Sequence, residues 1–364
     1  MRKHHIDQDR VAELVERCTR EVNEGLLPSC QLAIGFKGEI VHDETIGDEL
    51  PEARYCFFSA TKPFVAATVW QLLSENSLEL KAPISDLIPE FAENGKADIT
   101  LEQVLLHTAG FPHAPMGPDV WSDSESRRKR MADWRLNWEP GSRYEYHATS
   151  AHWVLAEVVR VVTGNSHTDE VHSRVTEPLG IPRILGLGLD QQTQMADLTL
   201  CEGEASPDEL EAVFGVREMP PSEVTDETII RFNDPHTREV GVPGGGGYGR
   251  AADLAMFYQA LLHNPQGLWD PQMLANAVGR VHNNLPDPMG VPANRGLGVI
   301  LAGDDGLSNR RGLGRTVSSM AFGHNGVGGQ AVACGSRSDV PPLVLVREAE
   351  AVVERGPCCA SHAR

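Results

Sequence analysis

Between residues 55 and 73 the chain reads YCFFSATKPFVAATVWQLL, an almost unbroken apolar run with one serine and one lysine near its start. From Phe64 onward apolar side chains fall on every side of a 3.6-residue period, which demands a helix enclosed by protein on all faces. The rest of the fold must therefore wrap around this segment. With a helix beginning near Ser59, Ser59 and Lys62 stand three residues apart and share one face of its first turn. A hydroxyl and an amine are held within reach of each other at a buried helix end.

A serine hydroxyl is a weak nucleophile until a base takes its proton. Lysine is ordinarily charged, but burial and the positive end of the helix dipole both disfavour the ammonium, and catalytic lysines are tuned in this way to about 7 to 8. The Ser59 backbone N–H at the same helix end is placed to meet a developing oxyanion. Pro63 fits in the first turn, where no N–H is required, although it disfavours helical geometry at Lys62. The spacing alone is weak evidence. Ser126 and Lys129 repeat it in a charged segment with no apolar helix behind, and serines cap helices routinely.

Composition narrows the chemistry. The 364 residues suffice for one large or two medium domains with a core that needs no staples. A formal charge of -19, with no Lys/Arg-rich arm, repels polyanions and argues against nucleic acid as a partner. The seven cysteines are odd in number, scattered and without C-x-x-C spacing, as expected of reduced thiols in a cytosol. The opening MRKHHIDQDRVAELVERC has no apolar run after its basic residues, and no stretch approaches the roughly 18 apolar residues of a spanning helix. The expectation is a soluble cytoplasmic protein with no membrane partner.

Residues 8–25 place Val11, Leu14, Val15, Cys18 and Val22 at helical spacing, with Gly25 as the stop. Two strand-like runs, 31–36 and 39–46, flank Lys37 and Gly38 in a hairpin pattern. Beyond residue 75 helices alternate with long loops. Thr100 and Gln103 form a capping box ahead of a short helix stopped by Gly110. In the charge run 122–130, Asp123/Arg127 and Glu125/Lys129 are spaced for pairs on a solvated helix face. A helix over 150–164 ends on Gly164, and Ser206, Pro207 and Glu209 mark another helix start. The Pro- and Gly-rich connection 216–247 reads as a wall or lid outside the core. After a helix over 251–263, strand-like segments return at 297–302, 318–324, 330–334 and 343–346, followed by a last helix over 347–355 and a tail. Strands gather at both ends of the sequence and helices in the middle. The expected architecture is an α/β (α+β) fold with an antiparallel sheet formed by both chain ends (1–75 plus 290–364) and flanked by terminal helices. A mainly helical domain (76–289) is inserted between them.

Three segments carry a resemblance to a known family. Ser59-Ala60-Thr61-Lys62 comes first; PGSRYEYHATSAHW follows, with Pro140-Gly141 and Tyr144 leading to Tyr146; FGHNGVGGQ, with His324-Asn325-Gly326, comes third. In this order they resemble the Ser-x-x-Lys, Tyr-x-Asn and Lys-Thr-Gly elements of the serine β-lactamase and penicillin-binding-protein superfamily, nearest in pattern to its family VIII esterases. VLLHTAG (104–110) and GGGGYGRAADLAMF (244–257) match further, so the resemblance runs from about residue 8 to residue 347. It implies a β-lactamase-like fold in which Ser59 attacks, Lys62 and Tyr146 move protons, and the amides of Ser59 and Val327 hold the oxyanion. It also implies that His324, Asn325 and Gly326 contact the substrate or support proton relay. Two departures stand out: Ala148 where the family has asparagine, and His324 where it has lysine. The first removes an amide that holds substrate and lysine; the second removes a fixed cation suited to a β-lactam carboxylate. Both turn the centre toward esters.

Other signals are weaker. His147 is left open between touching substrate and packing, and His107 reads as structural. Residues 244–249 match G-x-G-x-x-G but follow Pro243 rather than a strand, so no dinucleotide site is expected. His4, His5, His147 and His152 lack H-E-x-x-H or comparable spacing, so no metal or other cofactor is expected. The absence of G-x-S-x-G argues against an α/β-hydrolase elbow. The reading is a serine carboxylesterase acting on a small-molecule ester through an acyl-enzyme. An acyltransferase, or a weak β-lactamase or D-aminopeptidase, would use the same centre. The rival of another class is a non-catalytic binding or assembly protein of the same fold, against which the intact Ser-x-x-Lys and Tyr146 count.

Overall fold

The structure is a computed structural model and describes residues 6–200, 206–214, 216–218, 224–327, 329–334 and 343–347. Its elements in chain order begin with α1 (Gln8–Asn23), β1 (Ser29–Phe36), β2 (Glu39–Gly47), β3 (Tyr55–Cys56), α2 (Lys62–Ser74), α3 (Leu101–Leu105), α4 (Ser124–Asp133) and α5 (Ser150–Thr163). They continue with α6 (His167–Val171), α7 (Pro207–Phe214), α8 (Asp226–Ile230), α9 (Pro235–Val240), β4 (Tyr248–Gly249), α10 (Ala251–His263) and α11 (Pro271–Gly279). The last are β5 (Ile300–Leu301), β6 (Phe322–Gly323), β7 (Ala331–Cys334) and β8 (Leu343–Arg347).

Lys37 and Gly38, at φ 55° and 85°, turn β1 back into β2 with the paired left-handed residues that a two-residue hairpin favours. On its other edge β1 pairs antiparallel with β8, Cys30 opposite Arg347 and Ile34 opposite Leu343, which is where the two ends of the sequence meet. The six strands run in the order β2-β1-β8-β7-β6-β5, all antiparallel neighbours. The sheet is thus built from both chain ends, although β5 and β6 are shorter than the strand-like sequence around them.

Alternation along β1 sends side chains to two different covers. Cys30 and Leu32 pack with Ile46 and Cys18 of α1. Ala33 joins the main core, and Gln31 Oε1 accepts the Ala251 N–H at 3.0 Å at the start of α10. Gln259 of α10 reaches the hairpin, its Oε1 accepting the Gly38 N–H at 2.7 Å. One face of the sheet is therefore covered by the first helix as expected, and the other by α10, which comes from the middle of the sequence. The expected last helix and tail lie outside the described residues.

Every residue from 55 to 72 is buried except Ser59, which is half-buried. Trp70 Nε1 donates to Leu297 O at 2.9 Å and Trp269 Nε1 donates to Ala67 O at 3.0 Å, tying α2 to segments over 200 residues distant in sequence. Phe64 stacks on Phe257 of α10 with ring centroids 3.8 Å apart, a pairing worth about 0.5–1.5 kcal/mol beyond its burial.

The α-helix starts at Lys62, not at Ser59. Ser59 sits in a preceding 3₁₀ turn, Phe58–Thr61, and its carbonyl accepts the Lys62 N–H. Pro63 explains the difference: lacking an N–H, it cannot make the α-type bond back to Ser59, so the carbonyl takes the donor one residue earlier. Lys62 itself is helical at φ -54° and ψ -43°, despite the proline after it.

Three other expectations change. The short helix α3 stops at His107, which adopts φ 56°, rather than at Gly110. Asp123 caps α4 by accepting the Ser126 N–H at 2.7 Å and does not pair with Arg127. Arg127 is turned inward to Glu157, which it meets through Nε at 2.6 Å, whereas Glu125 and Lys129 do pair on the exposed face at 2.6 Å. The segment 216–247, where described, contributes Ile229, Phe232 and Val242 to the core and is more than a lid. Phe232 meets Phe58 edge-on at 5.3 Å, directly beside the Ser59 turn. The cysteines with described side chains, Cys18, Cys30, Cys56 and Cys334, are buried. No helix among the described residues is long and apolar enough to cross a membrane.

Candidate active site

The turn carrying Ser59 is held from above by the glycine run 244–249. Phe57 N–H donates to Gly247 O at 2.7 Å, and Gly247 N–H donates to Thr61 Oγ1 at 3.0 Å. A Cβ at Gly247 would lie 2.7 Å from Thr61 Oγ1, and one at Gly249 would lie 2.7 Å from the Phe57 ring, so side chains are excluded there by contact. The glycines thus let this run pack directly against the Ser59 turn. Phe58, immediately before the serine, is held at φ 44°, a conformation costing of order 1–3 kcal/mol that clusters at functional sites.

Lys62 is 1% exposed, and its Nζ has three partners: Ser59 Oγ at 3.1 Å, Ala148 O at 2.8 Å and Gly244 O at 2.6 Å. Burial, and secondarily the Arg295 guanidinium, push its pKa well below the ordinary lysine value. A neutral amine has two N–H groups and one lone pair. The two carbonyls can only accept, so they take the two N–H groups and leave the lone pair for the Ser59 O–H. Ala148, where the resembled family has asparagine, meets the lysine through its main-chain carbonyl.

Tyr146 brings its ring centroid to 5.0 Å from Lys62 Nζ. Its hydroxyl is buried without a hydrogen bond of ordinary geometry. Burial pushes the phenol pKa up, and Ser59 and then Arg295 pull it the other way. The phenol therefore keeps its proton at neutral pH. The loop carrying it is pinned by two histidines. His107 Nδ1 accepts the His147 N–H at 3.2 Å, and its ring lies 4.8 Å from that of Tyr146. His147 Nδ1 donates to Glu145 O at 2.7 Å while its Nε2 accepts the Phe111 N–H at 3.2 Å. Fully buried, with its pKa lowered by burial to about 4, His147 has no ring nitrogen left for a substrate.

His324 is 3% exposed, with its ring centroid 6.0 Å from that of Tyr146. Nδ1 lies 2.9 Å from Asn325 O and must donate to it, so the neutral ring presents its Nε2 lone pair to Arg295 Nη1 at 3.4 Å. Burial, then Arg295 and Lys62, lower its pKa well below the ordinary histidine value. Gly326 donates its N–H to Gln330 O at 2.8 Å, and a Cβ there would meet Phe57 O at 2.6 Å, which puts the third segment against the Ser59 turn. Asn325 Nδ2 donates to Arg311 O at 3.4 Å. Asn325, Gly326 and Val327 are half-buried, as are Ser59 and Tyr146.

The structure thus brings together all three sequence segments. His147 stands apart from the others, its ring committed to the protein. The sequence reading missed Arg295, whose guanidinium touches Tyr144, Tyr146 and His324. Its signal was a single charge at the head of the apolar stretch RGLGVILA. Among the described residues no cluster of His, Cys, Asp or Glu has the arrangement of a metal site.

Two of the solved structures that the backbone matches over nearly its whole length illustrate the fold. One is a penicillin-binding protein homologue from Caulobacter crescentus, with a TM-score of 0.78 and 22% identity over 97% of this chain and 95% of that one. The other is a family VIII carboxylesterase, with a TM-score of 0.78 and 23% identity over 96% of this chain and 95% of that one. This likeness defines a β-lactamase and penicillin-binding-protein fold. The sequence model of the Beta-lactamase family matches residues 11–344, and the chain belongs to that family. Among curated relatives it is similar to Esterase EstB of Burkholderia gladioli, 30% identical over 244 residues, 61% of this chain and 60% of EstB. It is also similar to Esterase/beta-lactamase LipL of Mycobacterium tuberculosis (strain ATCC 25618 / H37Rv), 29% identical over 126 residues, 34% of this chain and 28% of LipL. The matched region spans less than two thirds of the length of either relative.

Proposed function

We propose that this protein is a serine hydrolase that cleaves small carboxylic esters through an acyl-enzyme on Ser59. The observation that carries the reading is the buried Lys62 Nζ, 3.1 Å from Ser59 Oγ and within hydrogen-bond distance of the Ala148 and Gly244 carbonyls, with its pKa lowered by burial toward the neutral amine that can take the serine proton. In acylation Ser59 Oγ bonds to the ester carbonyl carbon as its proton passes to Lys62 Nζ. The negative charge on the carbonyl oxygen is met by the amides of Ser59 and Val327. As the tetrahedral intermediate collapses, the bond to the alcohol oxygen breaks. Tyr146 gives that oxygen a proton and is resupplied from Lys62. Water then attacks the acyl carbon by the reverse proton path and releases the acid.

Two substitutions bear on the choice of esters over β-lactams or peptides. Ala148 offers no side-chain amide to a substrate, and His324 is itself neutral, the cation against it being the Arg295 guanidinium, already engaged by His324 Nε2 and Tyr144 Oη. EstB is named an esterase and LipL an esterase/beta-lactamase, which agrees with ester cleavage on this fold. His147 is assigned to packing. The reading is tested by intact-protein mass spectrometry after brief mixing with p-nitrophenyl acetate and butyrate. An acyl mass increment on the peptide containing Ser59, absent in Ser59→Ala, is expected. Full turnover by Ser59→Ala would sink the assignment.

A further inference from the structure

Arg295 lies outside all three motif segments, yet the contacts of its side chain fall on the site. Its backbone is fixed in a short antiparallel ladder, with N–H donating to Asn283 O at 2.9 Å and the carbonyl accepting the His282 amide at 2.8 Å. From there the 6% exposed side chain sends Nε to Tyr144 Oη at 3.0 Å and Nη1 to His324 Nε2 at 3.4 Å. The guanidinium carbon is 5.3 Å from the centroid of the Tyr146 ring and 5.6 Å from that of Tyr144. Lys62 Nζ approaches the same Tyr146 centroid to 5.0 Å. Among the described residues no carboxylate forms an ion pair with Arg295.

We propose that Arg295 is a positioning residue of the acyl-transfer reaction, whose guanidinium fixes the Tyr146 ring and the His324 imidazole and sets a permanent positive charge beside Lys62. The inference rests on the reading of Lys62 as the base. A guanidinium does not give up its proton in proteins, whereas a buried amine does. When two cations share one aromatic ring without a counter-ion, the repulsion is relieved on the lysine.

The other titratable groups around Lys62 do not supply such a charge. His107, His152 and His324 are fully enclosed and neutral, burial being the largest cause in each, and the Tyr146 phenol is held protonated. The Gly244 segment brings a carbonyl and no charge. After burial, Arg295 is the remaining influence on Lys62, and it acts downward.

The test compares Arg295→Met and Arg295→Lys with the unaltered protein in p-nitrophenyl butyrate hydrolysis across pH, with near-UV circular dichroism to confirm packing. Arg295→Met removes the charge, so Lys62 holds its proton to higher pH. The acid limb of kcat/KM is expected to move up by at least about half a pH unit, with kcat down about tenfold or more. Arg295→Lys keeps a charge but not the planar fork. It is expected to return the limb toward its original pH while kcat stays below that of the unaltered protein. An unmoved acid limb in a packed Arg295→Met protein overturns the inference. So does a uniform loss in both variants with no difference between their profiles. If Arg295→Met does not pack, an unreduced kcat in Arg295→Lys overturns the positioning role by itself. Failure of the unaltered protein to acylate Ser59 would instead remove the reading beneath, so the two failures are distinguishable.

Discussion

Lys62 Nζ and Ser59 Oγ stand 3.1 Å apart, and the other two directions of the amine are taken by main-chain carbonyls contributed from 86 and 182 residues further along the chain. The pair is a side-chain contact of local origin whose proton chemistry is set by distant backbone.

Removing the base should cost what a positioned general base contributes. Lys62→Met is expected to lower kcat/KM for p-nitrophenyl butyrate by about 10²–10⁴, with far-UV circular dichroism unchanged. Lys62→Arg is not expected to rescue it, because a guanidinium has no lone pair to offer. Recovery of more than half the original rate in Lys62→Arg would show that proton transfer to this residue is not required.

The pH dependence has a definite sign. With Lys62 acting as the proposed base, its working form is the neutral amine, and because burial depresses its pKa, activity is expected to be lost as pH falls through that lowered value, well below the ordinary lysine range. Stability follows the same group: between the depressed folded value and the ordinary unfolded one, the unfolded chain binds the extra proton, so stability rises with pH over that window. Denaturant titrations at several pH values, repeated on Lys62→Met, should show this slope diminished in the variant.

Thr61 Oγ1 is the acceptor for the buried Gly247 N–H. Thr61→Val keeps the shape and removes the acceptor, so the amide is left unsatisfied at a cost of about 1–3 kcal/mol. Chemical denaturation is expected to show that loss. Because the glycine run also carries the Gly244 carbonyl, kcat should fall with it.

Glu157 is fully buried between Arg127, which meets it through Nε at 2.6 Å, and Arg160, at 3.0 Å. Glu157→Leu strands Arg127, itself only 9% exposed, and should destabilise the fold by about 3–5 kcal/mol. Arg127 and Glu157 hydrogen-bond to each other, Ser124, Trp121 and Arg160, none of them a residue of the candidate site, so kcat of the folded fraction at low temperature should change little. A variant as stable as the original would remove the ion pair from any account of stability.

Much of this protein is written locally in its sequence. Lys37-Gly38 between two alternating runs gives the hairpin, Thr100 and Gln103 give a reciprocal cap, and the all-round apolar stretch after Ser59 gives the buried helix. Each depends on residues within a few positions of one another, so type and spacing suffice. The tertiary structure decided what is done by the main chain and by distance. Carbonyls belong to every residue, so nothing in the sequence marks Ala148 and Gly244 as the acceptors that orient the Lys62 amine. Nor does spacing mark Arg295, 29 residues before His324 and 151 after Tyr144, as the charge beside it. The burial that shifts the lysine toward its neutral form comes from the whole core closing over α2, which no single segment encodes.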